Sequence, residues 1–264
     1  MIRIGLVIVL VAVLAAVFGP PLSPYDPADQ ALVHRLEPPS PAHPFGLDEL
    51  GRDILARLLA GARISLLVGL AVVSVSSTVG MVLGAAAGYF GGRVDDVISR
   101  AVDVLMAFPG ILLAIALVAV LGPSLTNVVI ALSIIGWVGY ARLVRGQALR
   151  AREFEFVQAA RALGAGPARI VLVHILPTAL PAVVVQATLG MAGAIIAEAS
   201  LSFLGLGVQP PTPSWGTMLD AGRSHLFDAP HLTIFPGLAI ATLVLGFNFL
   251  GDGLRDRVDP KLAK

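Results

Sequence analysis

Cysteine is absent from the 264 residues, which removes disulfide frameworks, thiolate zinc sites, iron–sulfur clusters and cysteine nucleophiles together. Charge is scarce: Asp, Glu, Lys and Arg make up 13% of the chain, about half their share in a soluble domain. A net charge of +1 gives no electrostatic footprint for nucleic acid. No Gly-x-x-x-x-Gly-Lys-Ser/Thr sequence occurs, so the chain cannot cradle nucleotide phosphates in the P-loop manner. Its five histidines supply neither a nucleophile–base cluster nor a metal-ligand set at helical spacing. The expectation is no catalytic residue, no metal and no cofactor. What the chain has in excess is apolar residue, 56% hydrophobic with a mean hydropathy of +0.87.

A helix needs about 20 mostly apolar residues to cross about 30 Å of hydrocarbon, because each backbone N–H and C=O must bond within its own segment. Six stretches come close: Ile4 to Phe18, Ile64 to Tyr89, Val102 to Leu121, Leu125 to Tyr140, Ala179 to Leu206 and Leu232 to Leu250. The first and fourth are short for a full span. The fold class expected is an all-α integral membrane protein with six transmembrane helices. Lysine and arginine are retained on the cytoplasmic side. With alternate loops assigned to opposite sides, thirteen of the 18 basic residues fall in one set, including Lys261 and Lys264, and five in the other. Both termini are therefore expected in the cytoplasm. Residues 1–19 read as an N-terminal transmembrane helix or as a cleaved signal peptide, since small residues at Ala15 and Ala16 follow a basic residue and an apolar run.

Residues 20–62 form an external segment whose prolines are too many for helix or central strand. Asp48 is placed to cap an amphipathic helix with Leu50, Ile54 and Leu58 on one face, lying on the outer surface or extending the second span. Residues 63–264 are the core, with five spans and an internal loop, 141–176. In that loop Ala151 to Leu163 should be helical, Gly164 and Gly166 break it, and Pro167 opens a second helix ending before Pro177. Phe154, Phe156, Val157 and Leu163 among arginines could be buried only against another protein or the headgroups.

At membrane depth, Gly80, Gly84 and Gly88 recur every four residues and form a flat strip for close helix packing. Gln186, Gly190, Ala194, Glu198 and Ser202 repeat at the same spacing along one stripe of the fifth span. An ionised group there costs roughly 2.5 to 3.5 kcal/mol even on a lenient scale, so Glu198 should face the bundle interior or a wet cavity. The stripe either lines a translocation path or supplies hydrogen bonds within the bundle. Asp103, near Arg100, reads as half of an interfacial ion pair.

Gln158-Ala159-Ala160, Gly164 and His174-Ile175-Leu176-Pro177 match the spacing of the Glu-Ala-Ala loop of ABC-importer permeases, with Gln158 in the place of the usual glutamate. Three further stretches resemble the dipeptide/oligopeptide/nickel branch, its second, C-type subunit in particular. They are His43 to Asp53, Asp103 to Gly110, and Glu198 to Gly207 running into Gln209 to Gly216.

The resemblance implies a type I importer permease in a bacterial-type inner membrane, half of a pore for di- or oligopeptides, with glutathione or nickel complexes as alternatives. It implies a coupling helix that docks on an ATPase through Phe154, Glu155, Val157, Gln158, Ala159, Ala160, Arg161 and Gly164. It implies as partners a second permease subunit in a heterodimer, two ATPase subunits, and an external solute-binding protein meeting Arg52, Asp53, Pro210, Pro211 and Trp215. A secondary transporter would show an internal repeat, and none is evident between the halves.

Overall fold

The computed structural model describes residues 1–258; Lys261 and Lys264, counted above on the internal side, lie outside them. Ten α-helices follow in order: α1 (Ile2–Leu22), α2 (Ile54–Phe90), α3 (Gly92–Met106), α4 (Gly110–Leu121), α5 (Leu125–Ala151), α6 (Glu155–Ala162), α7 (Pro167–Arg169), α8 (Leu176–Phe203), α9 (Trp215–Gly222) and α10 (His231–Val258). Among the described residues the one β-type pairing is an isolated bridge, Leu47 with Asp53.

Five helical stretches are long and apolar enough to cross a membrane, and a sixth crossing exists only if α3 and α4 count together. The two expected short spans are longer than hydropathy suggests. α1 runs 21 residues, about 31 Å at 1.5 Å each, continuing through Pro20 and Pro21 while Arg63 donates to the Ala16 and Val17 carbonyls that the missing proline N–H groups leave free. α5 continues through Arg142 and Arg145 to Ala151, since charge does not stop a helix that has left the hydrocarbon.

The third expected span is corrected: α3 and α4 meet at 87° across Ala107–Pro109. Pro109 has no N–H and pushes Phe108 out of the helical region. α3 also pairs Asp95 with Arg145 of α5, Oδ1 to Nε at 2.5 Å and Oδ2 to Nη2 at 2.7 Å. The expected pairing of Asp103 with Arg100 is corrected: among the described residues the ion pair of α3 is that of Asp95.

Two helix boundaries also differ from expectation. Asp53, not Asp48, caps α2, accepting from the Ala56 N–H at 2.7 Å. The external amphipathic helix is therefore the beginning of α2, which continues unbroken to Phe90. Pro177 does not end a helix. A π-helical stretch, Ile170–Ile175, joins α7 to α8, and its wider turn takes up the hydrogen bond and ring clearance that proline denies to an α-turn.

α2 lies at the centre, along α5 on one side and α8 on the other, and α10 bridges α1 and α8. The α1–α10 contact is a backbone approach: a Cβ on Gly5 would stand 2.7 Å from the Gly246 carbonyl oxygen. The proline-rich segment is fastened to the start of α10 by stacked Phe45 and Phe235, ring centroids 4.1 Å apart. Many side chains of α1, such as Leu6, Val7 and Leu10, stay exposed, as expected of a lipid-facing helix.

Candidate functional site

The internal loop carries a free-standing helix. α6 has one buried side chain, Val157, packed in a small core with Ala148, Ala151, Ile170 and Ile175. Val157 is therefore an anchor rather than a docking residue. Phe154, Glu155, Gln158, Ala159, Arg161 and Gly164 are exposed, and Ala160 is half-buried. The helix ends in a Schellman motif: the Ala165 N–H donates to the Ala160 carbonyl and the Gly164 N–H to that of Arg161, both at 3.0 Å, with Gly164 at φ +83°. Gln158 donates to the Glu153 carbonyl at 3.2 Å, and the Arg161 guanidinium lies 5.6 Å from the Tyr89 ring centroid. Phe154 and Phe156, ring centroids 5.6 Å apart, present an aromatic pair to solvent.

The glycine strip lies against α5. An added Cβ would crowd the Trp137 carbonyl oxygen at Gly80, the Ala141 backbone at Gly84 and the Arg145 carbonyl oxygen at Gly88. α2 and α5 are thereby held close enough to form one wall of a cavity of about 280 Å³ between α2, α4, α5 and α8. Its polar side chains are Ser76, Tyr140 and Gln186, among apolar groups that include Val72, Ile111, Leu132 and Ala197. No carboxylate and no imidazole lines it. The Ser76 hydroxyl is buried with no protein partner, packed against Gly136 behind the groove surface.

The stripe on α8 divides. Gln186, Gly190 and Ala194 line the groove. Glu198 and Ser202 do not; both are buried, with Ser202 Oγ donating to Glu198 Oε1 at 2.7 Å and Ser65 Oγ of α2 to Oε2 at 3.3 Å. This half of the stripe makes hydrogen bonds within the bundle. Neither Ser65 nor Ser76 stood out in the sequence, where small hydroxyl residues in an apolar helix are too common to signal a partner.

A second cavity, about 610 Å³, is lined by Ser99, Asp103, Met106, Arg142 and Arg145. Met106 and Ala107 border this polar cavity and Gly110 and Ile111 border the groove, so the α3–α4 corner stands between the two.

Of the residues expected to meet an external protein, Pro210 and Pro211 are exposed. Trp215 is corrected to a core residue, 3% exposed, its Nε1–H bonded to the Leu58 carbonyl at 2.9 Å. Asp53 is buried too, held by the α2 N-terminus and by His43 Nδ1 at 2.9 Å. Arg52 is bonded to Asp48 Oδ2 at 2.7 Å and lines a pocket with Pro210 and Pro211.

Residues 80–264 match the family model described as binding-protein-dependent transport system inner membrane component, and residues 1–39 match that of the N-terminal TM domain of oligopeptide transport permease C. The chain is 48% identical, over 98% of its length and 85% of the relative's, to a dipeptide transport system permease protein DppC of Alkalihalophilus pseudofirmus. It is 49% identical, over 96% and 85%, to a glutathione transport system permease protein GsiD of Pectobacterium atrosepticum. Among solved structures, an inward-facing form of the MetNI methionine ABC transporter superposes with a TM-score of 0.61 at 20% identity, covering 77% of this chain and 97% of that one. At that identity the likeness speaks for the fold.

Proposed function

Since the chain belongs to the binding-protein-dependent transport system inner membrane component family, as a multi-pass permease of an ABC importer, we propose that it forms half of a pore for di- or oligopeptides. A second, non-identical permease subunit supplies the other half. Two ATPase subunits dock on the exposed face of α6, and an external solute-binding protein delivers cargo at the opposite side. Both termini lie in the cytoplasm in this arrangement.

The observation that carries the reading is α6 itself: a helix secured by one valine, ended by a glycine-dependent cap, with two phenylalanines facing water. An exposed aromatic pair in a basic loop is a docking surface, and a helix joined through the π-helical stretch to α8 transmits displacement to the groove wall. ATP-driven closure of the ATPases moves α6, and the α3–α4 corner between the two cavities opens and closes the path.

The lining of the groove supports the substrate class. Tyr140 and Gln186 can meet peptide N–H and C=O groups without reading side chains, whereas a bare divalent cation finds neither carboxylate nor imidazole there. Glutathione, a tripeptide, fits the same lining, and the GsiD relatives keep it as the second reading.

The test is uptake of a labelled dipeptide into proteoliposomes holding the permease pair, the ATPases and ATP, with binding protein outside. Phe156→Ala should lower ATP-dependent uptake while the purified permease pair remains intact. Uptake by this chain alone, without ATPase, defeats the proposal.

A further inference from the structure

The polar cavity beside the α3–α4 corner, about 610 Å³, falls within the roughly 300–1,000 Å³ of small-molecule sites. Three charged side chains line it: Asp103, Arg142 and Arg145. Arg145 is already matched. Asp95 meets its Nε and Nη2 with one carboxylate oxygen each, and Ser99 donates to the same carboxylate at 3.1 Å. That cluster ties α3 to α5 and uses up its charges.

Asp103 and Arg142 are left over. Both are exposed, and among the described residues neither forms an ion pair, with the other or with a third group. The one bond of the Arg142 side chain runs from Nη1 to the Met106 sulfur at 3.0 Å, a weak acceptor. Arg100, three residues before Asp103, does not line the cavity. One unmatched charge of each sign thus faces the same space, in a wall that also includes apolar Ile98, Val102 and Ala141.

This pattern selects by charge. A lone anion matches Arg142 and is repelled by Asp103, and a lone cation meets the reverse. A zwitterion matches both. Small peptides with free termini are zwitterions at neutral pH, since an α-carboxyl titrates near 3.5 and an α-amino group near 8. The terminal carboxylate also fits the planar fork of a guanidinium.

We infer that this cavity is an exit subsite for zwitterionic di- and tripeptides, with Asp103 holding the α-ammonium and Arg142 the α-carboxylate. The inference rests on the peptide-pore reading proposed above and deepens it. The groove on the other side of the corner has no charged side chain in its lining, so peptide termini go unread there. They are met after the corner, on the side that the charge distribution places inside.

The experiment uses this chain assembled with its partner permease and ATPases in nanodiscs, without nucleotide or binding protein. Binding of tritiated dialanine is measured, with N-acetyl-dialanine and dialanine amide as competitors. Each cap removes one terminal charge and should weaken binding by roughly tenfold or more. Asp103→Asn should remove the penalty of the acetyl cap and keep that of the amide, and Arg142→Gln should do the reverse. A residue with a merely structural role shifts all three ligands together. Equal affinity for the three peptides in the wild-type complex overturns the inference. So do cap penalties that are the same in every variant, and so does a wild-type complex that binds no dialanine. ATP-dependent dialanine uptake by the same preparation, reconstituted with binding protein outside, separates the two readings: where it persists only the exit subsite falls, and where it is missing the peptide-pore reading falls as well.

Discussion

Gly84→Ala and Gly146→Ala add the same methyl group to two membrane helices, and their difference isolates the packing between them. A helical glycine costs about 0.5–1 kcal/mol relative to alanine through chain entropy. That gain is available at both positions and cancels in the comparison. At Gly146 a new Cβ meets nothing within 4 Å, so this variant should be the more stable. At Gly84 the same atom lies 3.0 Å from both Ala141 Cα and Val144 Cβ, and closer still to the Ala141 carbonyl oxygen. Backbone cannot swing aside as a side chain can, so α5 must move along the whole contact it shares with Gly80 and Gly88. Overpacking of this kind costs about 1–3 kcal/mol, which is the expected gap between the two variants. SDS-titrated unfolding of the purified chain in mixed micelles, followed by the fluorescence of Trp137 and Trp215, measures it. Equal midpoints, or a Gly84→Ala protein more stable than wild type, would refute the claim that backbone contact at this strip sets the α2–α5 distance.

Three further outcomes follow from particular contacts. Val157→Asp places a carboxylate in the core formed with Ala148 and Ile170, at a cost of several kcal/mol unless α6 swings out, so ATPase subunits should no longer co-purify with the permease pair. Glu198→Gln keeps an oxygen acceptor for one of Ser65 and Ser202 and offers the other hydroxyl an amide N–H to accept, and should leave uptake near wild type, whereas Glu198→Leu leaves both O–H groups without their acceptor and should lower stability by about 1–3 kcal/mol in the same SDS titration. Pro109→Ala restores the missing N–H and relaxes the restraint on Phe108; a cysteine placed at Ile111 should then change its accessibility to a thiol reagent, while α5, labelled at Ile135 as a reference, does not.

Hydropathy placed the spans because hydrocarbon imposes one requirement on every crossing segment, and that requirement is written residue by residue. Boundaries were less legible. Asp48 and Asp53 both precede the α2 pattern, and the choice between them rests on a long-range fact: Asp48 is taken by two arginines, leaving Asp53 to cap. The corner at Pro109 was signalled by the proline, but the apolar run from Val102 to Leu121 hid it, since hydropathy carries no direction. Trp215 could be misread because an indole at a membrane interface and one buried with its N–H on a carbonyl have the same composition around them. The π-helical stretch before Pro177 has no local signature at all. Division of the α8 stripe into a groove-lining half and a hydrogen-bonded half depends on Ser65, which lies 133 positions from Glu198, and no periodicity within one helix reports that.

The α3–α4 corner also bears on the pairing proposed above. Irregular backbone at membrane depth is tolerated only where protein buries it or water reaches it, because lipid satisfies no N–H or C=O. Around this corner Val104, Met106, Phe108 and Leu112 are exposed, so none of the described residues covers that side, while the polar cavity and the groove meet the corner from its other two sides. α3 carries Arg93, Asp96, Arg100 and Asp103 at helical spacing on one face, so hydrocarbon suits only its apolar side. In the paired pore proposed above, a second permease subunit would supply the apolar cover for the exposed side chains, and water in the path between the two would solvate the corner. In that pairing the 87° bend would stand as a hinge between the two cavities it separates.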